Sequence, residues 1–221
     1  MKKHLLPAPR SAFSLIELVV VIAIIAIIAT FTVPAATTIL RGSAITQASQ
    51  TLTDQISLAR QMALSRNRAV EVRFYKYADP EAAGETTGQW RAIQLFEVLE
   101  SGVAVPLGKV QTLPISVVIE PSTTFSTLIP AQGKEIAPIK NKDPDLPRGV
   151  GIGYVYGAFR FLQDGSTNLA PTSTWFVSIH NLTDTPSGTT MKKVNGDPIN
   201  FFTLQIDPVS GAIKGFRPTA A

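Results

Sequence analysis

The sequence contains no cysteine, only two histidines, and few charged residues for its length. The lack of cysteine excludes a disulfide scaffold, zinc fingers, CxxC redox chemistry and a thiol nucleophile. Charged residues make up 16% of the chain, against about a quarter in typical soluble domains. The 221 residues are enough for one domain with a sizeable core, and the 16 prolines and 15 glycines argue against an all-helical body.

Charge is also missing from one long apolar segment near the N-terminus. No charged side chain occurs from Leu18 to Leu40, and Val19 to Ile28 consists of Val, Ile and Ala only. As a helix, this segment would rise about 34 Å, enough to cross a hydrocarbon core of about 30 Å. Lys2, Lys3 and Arg10 precede it without any acidic residue. This pattern predicts a single membrane span with the N-terminus in the cytoplasm and the rest of the chain outside.

An ordinary secretory signal peptide is the alternative explanation of this N-terminus. The apolar region of a signal peptide is normally about 7–15 residues long, which is shorter than the segment found here. The residues Pro34, Ala35 and Ala36 nevertheless fit a signal-peptidase site, which would give a mature chain starting near Thr37. Both interpretations stay open at this point.

Glu17 is an acidic residue directly before the apolar segment. A carboxylate in a membrane costs roughly 2.5–3.5 kcal/mol at a helix centre and less near an end, so it usually has a partner. No basic residue follows it within reach, and the nearest preceding one is Arg10. Cleavage between Ala12 and Phe13 would supply a partner, because a new α-amino group is largely charged at neutral pH. Glu17 could then pair with its own amine or with that of a neighbouring copy.

The segment Ser11–Ile28, SAFSLIELVVVIAIIAII, resembles the class III signal of type IV pilins and type II secretion pseudopilins. The resemblance implies that a prepilin peptidase cuts between Ala12 and Phe13 and methylates the amine of Phe13. It also implies that Glu17 is the assembly glutamate and that Pro34 is a helix-kinking proline. The sequence departs from the family at Ala12, since the family usually has Gly immediately before the cut.

An amphipathic helix is predicted to continue the span as far as Arg66, with Gly42 as a weak point between the two halves. Its small and apolar residues fall within an arc of about 80° at 100° per residue: Ile45, Ala48, Leu52, Ile56, Ala59 and Ala63. Such a stripe is typical of a helix that packs against a sheet. The predicted organisation is therefore a leader at 1–12, an assembly helix at 13–41, an amphipathic half at 42–66 and a sheet domain at 67–221.

Beyond Asn67 the apolar period changes to two. Val70, Val72 and Phe74 alternate with Glu71, Arg73 and Tyr75, which predicts a half-buried strand. Further strands are predicted at Trp90–Leu99, Ile115–Ile119, Gly153–Leu162, Thr174–Ile179, Phe201–Ile206 and Ala212–Phe216. Short strands separated by Asp-Gly, Ser-Gly and Pro indicate an antiparallel sheet. The predicted fold class is α+β, with a long N-terminal helix packed on a C-terminal antiparallel sheet.

Three internal runs resemble one subgroup of this family. They are residues 58–72, 159–165 and 206–214, and they are similar to the helix-to-strand junction, a strand with an Asp-Gly turn, and the closing hairpin of GspH/FimT-type minor pseudopilins. The chain also resembles the Verru_Chthon cassette protein D group of pilin-like proteins.

No catalytic constellation is recognisable in the sequence. His180 is the only histidine after the leader, no Gly-x-Ser-x-Gly elbow is present, and a histidine at the end of a strand is expected on the surface. Asp143 and Asp145 are too few for a calcium loop. We therefore predict that the protein is not an enzyme and has no metal or cofactor.

The Pro-rich stretch 121–149 shows little periodicity. Long irregular connections are usually functional or disordered, so this stretch, together with 183–200, is a candidate contact surface for neighbouring subunits or a partner. A solvated excursion with no role is the equally weighted alternative.

The leading functional interpretation is a structural subunit of a pilus or pseudopilus in the bacterial inner membrane. Its expected partners are a prepilin peptidase, other pilin subunits, an inner-membrane assembly platform, and membrane lipid before assembly. The alternatives are a signal-anchored periplasmic protein and a FimT-like DNA- or ligand-binding pilin. The candidate DNA residues Lys192, Lys193, Lys214 and Arg217 are dispersed and not interleaved with aromatics, so DNA is not expected as a partner.

Overall fold

The computed structural model describes residues 14–81, 85, 87–131, 146–150 and 153–218, without the side chains of 31–38, 130 and 131. Two helices and nine strands are present in this part of the chain. In order they are α1 (Leu15–Arg66), β1 (Val70–Tyr77), β2 (Gln89–Val98), β3 (Ala104–Pro106), β4 (Gln111–Thr112), β5 (Val117–Ile119), α2 (Leu128–Ala131), β6 (Tyr154–Phe161), β7 (Trp175–Asn181), β8 (Phe201–Ile206) and β9 (Ile213–Phe216).

The chain divides into two compact units, Met1–Leu40 and Arg41–Ala221. The described part of the first unit is the apolar half of α1. The second unit contains the amphipathic half of α1, the sheet and α2. Gly42, the predicted weak point, lies within α1 close to the boundary between the units.

The strands form one antiparallel sheet in the order β6-β1-β2-β5-β7-β8-β9, with β3 and β4 also paired to β2. The predicted α+β class, with an N-terminal helix and an antiparallel sheet, is confirmed. The central junction is narrow, because β2 and β5 are paired only through Trp90 and Ile119. On either side of it, β1 pairs along its whole length with β6, and β7 pairs with β8 over six residues.

One face of the sheet packs against the amphipathic half of α1. All six residues of the predicted stripe are fully buried: Ile45, Ala48, Leu52, Ile56, Ala59 and Ala63. They join the alternate residues of β1, including Val70, Val72 and Phe74, in the main hydrophobic core. The prediction that this stripe packs on a sheet is confirmed. The apolar residues of the helix recur with the helical period and those of β1 with the strand period, so each set lies on one face and the two faces meet.

At β1 the opposite face of the sheet is also buried, so the prediction of a half-buried strand there is wrong. Glu71, Arg73 and Tyr75 are 0% exposed. The Glu71 carboxylate accepts hydrogen bonds from Arg73 and, at 2.9 Å, from Nε of Arg160 on β6. The Arg73 guanidinium lies 4.2 Å from the centre of the Phe96 ring. Pairing of this kind makes the burial of charged groups tolerable.

Segments distant in sequence cover this second face. Its apolar cluster contains residues of β1 and β2, the start of β3, and the chain just before β6: Tyr75, Tyr77, Ala92, Phe96, Ala104 and Val150, with Val110, Leu146, Tyr154 and Tyr156 packed against them. An alternating pattern in β1 shows which residues share a face, but not that the segments 104–110 and 146–150 will cover the charged face.

Candidate functional site

The first turn of α1 is closed by a reciprocal pair of side chains, Ser14 and Glu17. The backbone N–H and the hydroxyl of Ser14 both donate to Oε2 of Glu17, each at 3.0 Å. In return, the Glu17 N–H donates to the Ser14 hydroxyl oxygen at 3.3 Å. The Ser14 carbonyl accepts the N–H of Leu18 at 3.3 Å. This arrangement is a capping box, which satisfies donors that a helix start otherwise leaves unpaired.

Ser14 is a site residue that the sequence interpretation missed. The signal was present, because Ser-x-x-Glu directly before an apolar run is the sequence pattern of a capping box. The charge of Glu17 predicts a cationic partner, but it does not indicate a neutral one. In the structure, the neutral neighbour three residues earlier supplies the first hydrogen bonds to the carboxylate.

The other predicted residues of this site are not visible in the same detail. Ala12 and Phe13, on either side of the predicted cut, lie outside the described residues. Pro34 lies within α1, and its side chain is outside the described part. The cut and the kink therefore stay predictions.

Apolar side chains surround the first half of α1. Leu18, Val19, Val20 and Val21 are between 46% and 57% exposed, and four successive helical residues point in directions 100° apart. The helix is thus apolar on all sides in this region, unlike a surface helix with one buried face.

Within the described residues, no helix meets the length and apolarity needed to cross a membrane.

His180 is buried, so its prediction as a surface or loop residue is wrong. It is 4% exposed, with Nε2 at 2.9 Å from Oε2 of Glu120 and Nδ1 at 2.8 Å from the carbonyl oxygen of Asn181. Glu120 in turn accepts the N–H of Ser122 at 2.9 Å. His180 therefore helps to fix the end of β5 beside β7. The position at the end of a strand was misleading, because β5 pairs with that end through Val117 and Val118, and the Glu120 carboxylate contacts the imidazole ring.

The Pro-rich stretch begins as part of the sheet domain. The Ser126 hydroxyl accepts the N–H of Ser178 at 3.0 Å. The Thr127 hydroxyl accepts the N–H of Phe176 at 3.0 Å and donates to the carbonyl of Thr174 at 2.8 Å. These hydroxyls continue the pairing of β7 where β5 has ended. In this part of the predicted contact surface, Ser126, Leu128 and Ile129 are buried, whereas Pro121, Thr123 and Thr124 are exposed. Residues 132–145, including Asp143 and Asp145, lie outside the described residues.

Three of the four basic candidates contact other residues of the chain. Lys193 forms an ion pair with Asp184 at 2.8 Å, and Lys192 lies in the same loop between β7 and β8. Lys214 lies over the ring of Phe216, 5.2 Å from its centre. Arg217 donates to the Thr46 hydroxyl at 2.9 Å. In the described part of the chain, no group of His, Asp or Glu side chains is arranged to hold a metal ion.

Comparison with known proteins identifies the N-terminal segment. A family model described as the prokaryotic N-terminal methylation motif matches residues 8–33. No curated protein and no solved structure gives a match to the chain. The matched segment contains Ser14, Glu17 and the start of the apolar helix. The chain therefore carries the type IV pilin-like prepilin signal that its resemblance predicted, whereas the GspH/FimT subgroup stays a prediction.

Proposed function

We propose that this chain is a structural fibre subunit, a minor pilin or pseudopilin of a type IV pilus or a type II secretion-like machine. A prepilin peptidase cleaves it between Ala12 and Phe13 and methylates the new amine of Phe13. The N-terminal helix holds the precursor in the bacterial inner membrane, with the sheet domain in the periplasm. An assembly platform then moves the helix from lipid into a bundle formed by the helices of other subunits.

The observation that supports this proposal most strongly is the Ser14–Glu17 pair at the start of a helix that is apolar on all sides, inside a methylation motif. A helix with this surface needs an apolar environment on every side, because isolated exposure of so many Val, Ile and Leu side chains to water is unfavourable. Lipid supplies that environment before assembly, and neighbouring helices supply it in the fibre.

Apolar contact alone does not drive the transfer from lipid to bundle, because lipid tails are as apolar as the side chains of a neighbouring helix. Glu17 supplies a difference between the two states. Both Ser14 donors bond to Oε2, and Oε1 has no hydrogen-bond partner among the described residues. In the proposed fibre, Oε1 accepts a hydrogen bond from the charged amine of Phe13 on a neighbouring subunit. This pairing favours one register, since an unpaired charge inside the bundle is costly.

The proposal includes no catalytic activity. A DNA- or ligand-binding pilin and a signal-anchored periplasmic protein are the alternatives considered from the sequence. Neither gains support from the described residues, in which Lys193, Lys214 and Arg217 contact Asp184, Phe216 and Thr46. The motif match at residues 8–33 favours prepilin processing over an ordinary signal peptide.

The decisive experiment determines which residue begins the mature chain and whether its amine is methylated. The full-length chain is produced in membranes with and without a co-expressed prepilin peptidase, and the product is examined by N-terminal sequencing and mass spectrometry. We expect a peptidase-dependent product that begins at methylated Phe13. A product that begins near Thr37, or one that forms equally without the peptidase, contradicts the proposal.

A further inference from the structure

Two serines flank the proposed cleavage bond between Ala12 and Phe13: Ser11 precedes it and Ser14 follows it. Serine is a preferred N-cap residue, so either could start a helix. A helix capped by Ser11 would begin at Ala12 and contain the cleavage bond in its first turn. In the structure, Ser14 is the cap and the helix begins at Leu15.

Glu17 explains why Ser14 is used as the cap. A capping box needs Glu or Gln three residues after the capping residue, and Glu17 provides it for Ser14. For Ser11 the corresponding residue is Ser14, which cannot make the same return bond. Nothing else in this stretch stops a helix, because no Gly or Pro occurs from Arg10 to Phe13 and Ala12 has the highest helix propensity of all residues.

We infer that Ser14 is a positioning residue for prepilin cleavage, because its capping box with Glu17 sets the start of α1 at Leu15, after the predicted cut in the sequence. This inference rests on the proposed function. In a helix capped by Ser11, the carbonyl of Ala12 would accept the N–H of Ile16. The bond to be cut would then be part of the first helical turn. That turn would have to unfold before a peptidase could bind the segment as an extended chain. With Ser14 as the cap, α1 begins at Leu15, and both residues of the bond precede it in the sequence.

The test measures the initial cleavage rate of the full-length precursor in membranes that contain a prepilin peptidase. Ser14→Ala removes the cap, and we expect cleavage about fivefold slower, which is the factor that corresponds to the usual loss of one N-cap. Ser14→Thr keeps a capping hydroxyl and is expected to be cut at the wild-type rate. Ser11→Ala is the matched control on the other side of the bond, and it is also expected to be cut at the wild-type rate.

A second substitution separates helix position from direct recognition by the peptidase. Ala12→Gly lowers helix propensity at the bond itself. It should accelerate cleavage of Ser14→Ala several-fold more than it accelerates cleavage of the wild type. If Ala12→Gly accelerates both by the same factor, the residue before the cut acts through the peptidase alone and the inference is wrong.

The outcomes also distinguish this inference from the proposed function. Glu17→Gln keeps the capping box, since Gln serves at that position, and it should be cut at close to the wild-type rate although its charge is lost. Wild-type cleavage of Ser14→Ala, or equal slowing by Ser11→Ala, overturns the role of Ser14 and leaves the proposed function intact. A wild-type chain that is not cut between Ala12 and Phe13 contradicts the proposed function itself.

Discussion

At the scale of single residues, a substitution can separate the observed role of Glu17 from its proposed one. Its carboxylate closes the first turn through Ser14, and the proposed role of its charge is to pair with a cationic partner in the fibre. Glu17→Gln preserves the first role and removes the second. We expect this variant to insert and to be processed normally, but to be recovered in isolated fibres at least about tenfold less than the wild type, because a charged pair is among the stronger hydrogen bonds.

Quantitative immunoblotting of membranes and sheared fibres measures this prediction. Asp54→Asn is a suitable control, because it neutralises another carboxylate on α1, which accepts hydrogen bonds from the neighbouring Gln50. Normal incorporation of Glu17→Gln would show that the carboxylate charge has no part in assembly.

Burial also changes the ionisation of Tyr77 on the second face of the sheet. Removal from water raises the pKa of Tyr77 to about 12 against its usual 10, although the nearby Arg91 opposes the shift. Burial also raises the pKa of Tyr75. The unfolded chain therefore loses these protons at lower pH than the folded chain. The stability that depends on them is complete below about pH 10 and decreases as the pH rises toward 12.

Urea unfolding of the detergent-solubilised chain, at several pH values between about 9 and 11, tests this dependence. The midpoint should fall with pH, and Tyr77→Phe should reduce the slope because it removes one of the two ionisations. An unchanged slope in Tyr77→Phe would mean that this hydroxyl does not ionise on unfolding in that range.

At the scale of elements, the second half of α1 is held by one buried stripe. Leu52 is fully buried, whereas Leu58 on the same helix is 37% exposed. Leu52→Ala is expected to lower the free energy of unfolding by about 2–5 kcal/mol, because it leaves a cavity in the core. Leu58→Ala should cost clearly less. Equal losses in the two variants, measured by urea unfolding, would contradict the packing of this face on the sheet.

Most elements could be predicted from the sequence because they are long enough to show a period. The stripe from Ile45 to Ala63 shows the helical period, and β8 was predicted with its observed bounds, Phe201–Ile206. The strands β3 and β4 were missed because they have only three and two residues. The burial of Arg73 and His180 was missed because it depends on segments far away in the chain. The same holds for the candidate site. Glu17 could be predicted because a charge before an apolar run is conspicuous, whereas the neutral Ser14 was missed.

At the scale of the whole molecule, processing would change the charge balance. The chain has 20 basic and 16 acidic residues, and residues 1–12 contain Lys2, Lys3 and Arg10 but no acid. The processed side chains would carry a formal charge of +1. Most of the excess positive charge thus belongs to the predicted leader, where it favours a cytoplasmic N-terminus.

This balance predicts weak DNA binding by the processed protein. A near-neutral surface neutralises few phosphates, and Lys193 and Arg217 already have partners in Asp184 and Thr46. Binding through phosphate contacts releases counterions, so its affinity falls as the salt concentration rises. In a titration of the purified processed chain with duplex DNA, we expect no salt-dependent binding of this kind. The unprocessed precursor is the control, because its leader restores three basic residues. If the processed chain binds with a steep salt dependence that Lys192→Ala, Lys193→Ala, Lys214→Ala and Arg217→Ala together abolish, then those residues form a DNA-binding surface.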